Sequence, residues 1–331
     1  MMQFGLIGIG AGAAAALLFA SVTSGAWLSV VLFYLAPLPI MIAGLGWSHW
    51  AALVAAISGA LALGLVFGAV FFFAFMAGAG IPAWWLGYLA MLARPVGANG
   101  GTPTLEWYPP GRLVIWAAGL AALIVVVAIP NFGTDAESFR AGLSAALTRM
   151  LRAETGADAS GPLSMPGVPN ADRLIVLLVA AIPPAAAVLA TITNVVNLWL
   201  AARIVKYSGL MKRPWPDLTA IAFPKWLAGV LAIAIVIAVS LADSFTGIIA
   251  GVLSSSLFMA YGVLGFAVLH TVTQNITSRA FLLGGAYASV IVFGWPVLAF
   301  CVLGLLENVF DLRARLARRR GPPSSRSTPH Q

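Results

Sequence analysis

From Leu113 to Pro130 the chain reads Leu113-Val-Ile-Trp116-Ala-Ala-Gly-Leu-Ala-Ala-Leu-Ile-Val-Val-Val-Ala-Ile-Pro130, without one charge or side-chain amide. A helix rises ~1.5 Å per residue and the hydrocarbon core of a bilayer is ~30 Å thick, so such a run is long enough to cross it. Hydrocarbon offers no partners to free backbone groups, which forces the run into a helix. Alternation every second residue, the mark of a membrane barrel, is absent from it. Similar runs cover 4–20, 26–46, 51–77, 173–202, 226–242, 247–270 and 280–309. The expected fold is therefore an all-α integral membrane protein, a polytopic bundle of about eight transmembrane helices.

Composition agrees. Apolar residues make up 61% of the chain and charged residues 8%, against about 45–50% and about 25% in a soluble domain. Too little polar surface exists to cover a water-facing exterior. The net charge of +8 resides mainly in loops and tail, which points to topology and anionic lipid and not to nucleic acid. Cys301 is the single cysteine, so neither a disulfide within the chain nor a cysteine zinc cluster is available. His49, His270 and His330 are far apart in sequence, and no metal, cofactor or catalytic pair is expected. The start, Met1-Met-Gln-Phe, lacks a basic region, so 4–20 reads as a first span and not as a cleaved signal.

The transmembrane domain is expected over 1–312, with a basic, disordered cytoplasmic tail over 313–331. Ile81 to Ala93, with Trp84, Trp85 and Tyr88, reads as a short interfacial helix. Within 131–172, Thr134-Asp-Ala-Glu137 has the form of a capping box. Phe139, Leu143, Leu147, Met150 and Leu151 follow at helical spacing, which predicts an amphipathic helix lying on the membrane or the bundle. Gly161 to Pro169 reads as a linker.

Two basic segments disagree about topology. Arg203, Lys206, Lys212, Arg213 and Lys225 mark one loop as cytoplasmic. Arg313, Arg315, Arg318, Arg319, Arg320 and Arg326 mark the tail likewise. Three predicted spans separate them. The denser charge of the tail decides for both termini inside and leaves the 203–225 loop against the rule. A break at Gly294-Trp-Pro296 would reconcile the two, but each half would be short for a span.

Few polar side chains interrupt the runs. In the fifth span Pro183 and Pro184 should kink or break the helix, and Thr193, Asn194 and Asn197 follow. Thr193 and Asn197 share a face. These amides either bridge helices or line a substrate cavity. Pro37 and Pro39 free backbone carbonyls in the second span, for a ligand or for an internal hydrogen bond. In the first span Gly8 and Gly12 form a GxxxG, with Ala11 and Ala15 a second small pair, a surface for close helix contact. At the end of the last run Glu307, Asp311 and Arg315 are spaced four apart. Asp311 can pair with Arg315 in the same turn. Glu307 lies deeper, and either frames the helix end or reaches into the bundle as a substrate-binding acid.

Ala36-Pro-Leu-Pro39-Ile-Met-Ile-Ala-Gly44-Leu-Gly46 resembles a motif of the YybS-like family of uncharacterised bacterial multispanning membrane proteins. So do Gly209-Leu-Met-Lys-Arg213-Pro214, Phe223-Pro224-Lys-Trp226-Leu and Gly262-Val-Leu-Gly265-Phe-Ala-Val-Leu-His270. Gly304-Leu-Leu-Glu307-Asn308-Val-Phe310-Asp311-Leu-Arg313 resembles its closing motif, in which Asp more often stands where this chain has Glu307. That family is grouped with the substrate-binding subunits of energy-coupling-factor vitamin transporters, and more loosely with the rod-shape protein MreD. The resemblance implies a six-helix core of that substrate-subunit type with added helices, both termini inside, and a bacterial inner membrane. It also implies that Ala11 and Ala15 touch a transmembrane coupling subunit, itself driven by an ATPase pair. Two functions follow as expectations. One is a transporter-type subunit that binds a small hydrophilic solute in the bundle, between the fifth span and neighbouring helices, and needs a separate energising partner. The other is an envelope scaffold that recruits partners or anionic lipid through the basic tail.

Overall fold

The computed structural model describes residues 2–97, 104–155, 170–217, 221–274 and 276–319. The expected linker 161–169, Asn275 and the chain beyond Arg319 lie outside the described residues. Helix α1 (Met2–Ala20) ends in a short tightened turn over Ser21–Ser24. The second span is two helices, α2 (Trp27–Tyr34) and α3 (Pro37–Gly46), divided where Pro37 and Pro39 remove backbone donors. Helix α4 (His49–Phe67) is capped by Ser48, whose hydroxyl accepts from the Trp50 amide. It stops at Gly68, where φ is +92°, a conformation without penalty only for glycine. The chain then continues as α5 (Ala69–Phe75), a π-helical turn and α6 (Ile81–Ala90). This corrects two expectations. The run 51–77 is not one span, and Ile81–Ala93 is not an interfacial helix. Instead Ala69–Ala90 is a span of its own.

Next come a small antiparallel hairpin, β1 (Ala93–Val96) with β2 (Thr104–Trp107), and helix α7 (Pro110–Ala128). Helix α8 (Ala136–Thr155) is the amphipathic segment. Its cap is Asp135, not Thr134: one carboxylate oxygen accepts from the Glu137 and Ser138 amides at 3.0 Å each. Phe139 and Leu143 pack on Ile175 and Val179, with Leu147 and Leu151 beside them, while Met150 stays exposed. Those partners belong to α9 (Ala171–Tyr207), which runs 37 residues with Pro183 and Pro184 inside it. The two prolines do not break it.

The last third holds α10 (Trp226–Ser240), α11 (Phe245–Val272), α12 (Arg279–Phe293), α13 (Val297–Phe310) and α14 (Leu312–Arg319). The run 280–309 is thus divided at Gly294, where φ is +70°. Helices α10 and α11 form a tight antiparallel hairpin whose turn is capped by Ser244. Helix α13 also runs antiparallel to α11: Gly265 sits against the Phe300 carbonyl and Gly304 against that of Tyr261. The end of α13 meets the start of α10, and both point the same way. Their 15 and 14 residues give roughly 20 Å each at ~1.5 Å per residue, too short alone for a ~30 Å core. Laid end to end along the 28 residues of α11, they make one column from two separate parts of the chain.

Seven segments among the described residues are long and apolar enough to cross a membrane, so the chain is a multi-pass membrane protein of all-α type. The closest approaches use small residues. Gly8 lies on Ala51 and Val54, and Gly12 on Ala55 and Ser58, so α1 and α4 run parallel with backbones nearly touching. The core beside them includes Ile40, Met41, Phe75 and Leu86.

The ends of the bundle differ in charge. Arg213 donates to the carbonyls of Ala90 and Tyr108. Gly111 touches Ala222, and Arg313 donates to the Ile221 carbonyl. The ends of α6 and α9, the start of α7 and residues 208–217 therefore share one end, and α13 ends against residues 221–225. The two basic segments meet where Lys225 pairs with Asp311 and Arg313 reaches Ile221, and the last run is divided at Gly294. Helix α8 occupies the opposite end, where Arg140 donates to the Ala242 and Asp243 carbonyls.

Candidate functional site

The amides of α9 face inward. The Asn194 amide donates to the Ala117 carbonyl at 3.2 Å, joining α9 to α7. The Asn197 amide donates to Tyr34 and to Thr193, each at 2.8 Å. The Tyr34 carbonyl is available because the Leu38 amide, its partner in a continuous helix, turns to Leu35 at the α2–α3 break, so the break serves an internal bond. Its neighbour Thr191 lies 3.0 Å from the Ser256 hydroxyl, and Ser256 donates to Ala118. Thr191, Asn194, Asn197 and Ser256 are all buried. They form a polar seam that fastens α9 to α2, α7 and α11, and Thr193 contributes its carbonyl to that seam.

Glu307 is likewise engaged. It accepts from the Arg313 amide at 3.0 Å and from its Nε at 2.7 Å. Both side chains are largely buried. Asp311 does not continue the Glu307 face, because its φ of +51° ends α13. It pairs with Lys225 at 2.5 Å, not with Arg315, and Lys225 holds its carboxyl below the usual carboxylate range. Asn308 completes the joint by donating to the Phe223 carbonyl at 2.9 Å and accepting from Tyr261 at 3.1 Å. Glu307 thus holds Arg313, and the α13–α10 junction itself is bridged by Asn308 to Phe223, Lys225 to Asp311 and Arg313 to Ile221.

The small residues of α1 are covered too. A Cβ on Gly8 would lie 2.7 Å from Val54, and one on Gly12 2.5 Å from the Ala55 carbonyl. Ala15 is fully buried and Ala11 partly so. Gly8 and Gly12 are thus covered by α4 of the same chain. The outward face of α1 carries Leu6, Ile9 and Leu17 instead.

The open volume lies elsewhere. A cleft of about 680 Å³ separates α9 from α11 and α12 at the basic end, within the ~300–1,000 Å³ of ordinary ligand sites. Its floor is formed by Leu113 and Val114 of α7, and one wall by Ile192, Val195, Val196 and Trp199 of α9. Met259, Val263 and Phe266 of α11 and Val290 and Ile291 of α12 make the other. Helix α12 buries no residue of its own. It meets α11 through Tyr287, whose ring stacks on Phe266 and whose hydroxyl lies 2.9 Å from His270 Nε2. Ile192, Val196, Trp199 and Ile291 are exposed along the cleft edge, so the cleft opens sideways, toward the layer that would be lipid.

Residues 211–216 and Ile221 close the inner end. Met211, Arg213, Trp215, Pro216 and Ile221 all line the cleft. Arg213 is 9% exposed, and burial pulls its pKa down from the ordinary value. A guanidinium stays charged nonetheless. It has five N–H donors, and two are spent on the Ala90 and Tyr108 carbonyls. No ion pair joins it to a carboxylate among the described residues. Outside, Arg203 and Lys206 sit over the Trp215 ring at 5.5 and 4.8 Å.

Sequence reading treats Arg213 as one more topological charge. Nothing in its neighbours by sequence marks it as buried, since Lys212 and Pro214 beside it are exposed. Among the described residues no group of three or more His, Cys, Asp or Glu could hold a metal ion. Comparison of the chain with protein-family models, with curated proteins and with solved structures finds no match.

Proposed function

We propose that this protein is a membrane-embedded binding subunit of transporter type. Its solute is apolar or amphiphilic, enters the α9–α12 cleft from the bilayer, and is moved on by a separate energising partner. One observation carries the reading: a ligand-sized apolar cleft with a lateral mouth between α9 and a helix, α12, that buries nothing of its own. The walls offer a hydrophilic solute little to bond, because the side-chain N–H groups of Asn194 and Asn197 are spent in the seam and the Asn197 Oδ1 is buried away from the cleft lining. Arg94, Arg112, Arg203, Lys206, Lys212, Arg213, Lys225, Arg313 and Arg315 gather at the basic end, which by the positive-inside rule faces the cytoplasm. The resemblance in the sequence motifs favours a bacterial inner membrane.

The test is photolabelling in phosphatidylcholine nanodiscs with a long-chain alkyl diazirine. Label should concentrate on α9 and α12 residues of the cleft. Val196→Trp and Ile291→Trp fill the mouth from exposed positions and should lower that labelling about tenfold, the equivalent of ~1.4 kcal/mol. Labelling spread evenly over all lipid-facing helices, unchanged by both variants, would refute the reading.

A further inference from the structure

Arg213 is the group in this cleft that its surroundings leave unbalanced. A buried cation is costly unless it is paired and hydrogen-bonded. Here it has two carbonyls and, among the described residues, no carboxylate. Three of its N–H donors have no partner among the described residues, while the side chain lines an otherwise apolar cleft. Carbonyls fix a guanidinium in place but leave its charge uncompensated. A carboxylate or phosphate would do both, since the planar fork matches such groups two bonds at a time.

We propose that the cleft takes a lipid of the surrounding bilayer that ends in a phosphate monoester, with its phosphate on Arg213 and its hydrocarbon tail between α9 and α12. This names the solute class of the binding-subunit reading and rests on it. Charge complementarity selects the occupant. One buried guanidinium would suffice for a carboxylate, but Arg203 and Lys206 stand just outside on Trp215, which itself lines the cleft. A phosphate monoester carries about −1.5 to −2 charges near neutral pH, and so matches more than one cation. The depth fits as well. Arg213 lies on the 208–217 segment at the basic end of the bundle, where α6 ends and α7 begins, which is headgroup level. The side wall below it, from Trp199 back to Ile192 on α9, is apolar and exposed at its edge.

The experiment uses the full chain in phosphatidylcholine nanodiscs doped with phosphatidic acid that bears a diazirine in one acyl chain. Peptide mapping reads label on the cleft against label on the exposed surface of α4 near Leu65 and Val66. In the wild type, unlabelled phosphatidic acid should compete for the cleft at least about tenfold better than diacylglycerol or a fatty acid of equal length, a difference of ~1.4 kcal/mol. Arg213→Gln should lower cleft labelling by a similar factor and leave α4 labelling unchanged, and Arg213→Lys should restore much of it. The wild-type competition needs no variant, so a misfolded Arg213→Gln protein would not spare the proposal. Equal competition by diacylglycerol overturns the phosphate assignment while the apolar cleft survives. Better competition by the fatty acid replaces phosphate with carboxylate and overturns it too. Competition by inorganic phosphate alone would show an anion site without a lipid. Failure of every probe to mark the cleft removes the binding-subunit reading itself.

Discussion

Asn194 and Asn197 show how little a polar residue type says about its task. Each is an amide on a membrane helix, and each could bind a solute or another helix with the same atoms. The choice falls to the neighbours: the Ala117 and Tyr34 carbonyls lie within 3.2 and 2.8 Å, and the cleft is lined by the apolar residues of α9 that alternate with them. Asn194→Ala or Asn197→Ala should therefore lower thermal stability in detergent, by roughly 0.6–1.7 kcal/mol for an interhelical bond in lipid. Photolabelling of the cleft should stay at the wild-type level. A variant of normal stability that loses cleft labelling would reverse this assignment. Arg213 is the opposite case. Its neighbours in sequence mark it as a surface charge, and only the approach of α6 and the hairpin buries it.

At the level of elements, hydropathy located the apolar runs but not their internal breaks. Gly68 and Gly294 divide runs that read as continuous, because a single residue at positive φ ends a helix without changing the local hydropathy. Pro183 and Pro184, which the sequence marks as a break, lie inside an unbroken α9. The N–H groups the prolines lack would have served the carbonyls of Val179 and Ala180; beside them Ser255 of α11 donates to the Pro184 carbonyl at 3.2 Å and ties the two helices together. Beside the α13–α10 junction lies one desolvated pair, with Glu307 and Arg313 8% and 15% exposed, and Arg313 reaches the Ile221 carbonyl from it. Glu307→Gln removes the buried carboxylate that faces Arg313 and should destabilise the protein by about 3–5 kcal/mol in thermal unfolding. The double change Glu307→Gln with Arg313→Met should recover much of that loss, because the unpaired charge goes with it. A single variant as stable as the wild type would show that the pair does not hold the junction.

For the whole molecule, placing both basic segments at one end has a direct consequence. Cysteines introduced singly at exposed Tyr207 and at Arg315, in a Cys301→Ser background, should react with an impermeant maleimide from the same face of sealed vesicles. Reaction from opposite faces would mean that α12 and α13 together cross the membrane as the unbroken run first suggests. The solvent, the helical class and the approximate positions of the spans were determined by the sequence alone. Hydrocarbon cannot satisfy a free backbone group, so a long uncharged run has one available conformation whatever lies around it. Tertiary structure alone decided which charges were buried, which amides were already bonded, that two short helices from distant parts of the chain make one column, and where the cleft opens. Those outcomes depend on which surfaces meet. Apolar faces are nearly interchangeable in lipid, so the meeting is settled by small-residue fit and a few hydrogen bonds between residues remote in sequence.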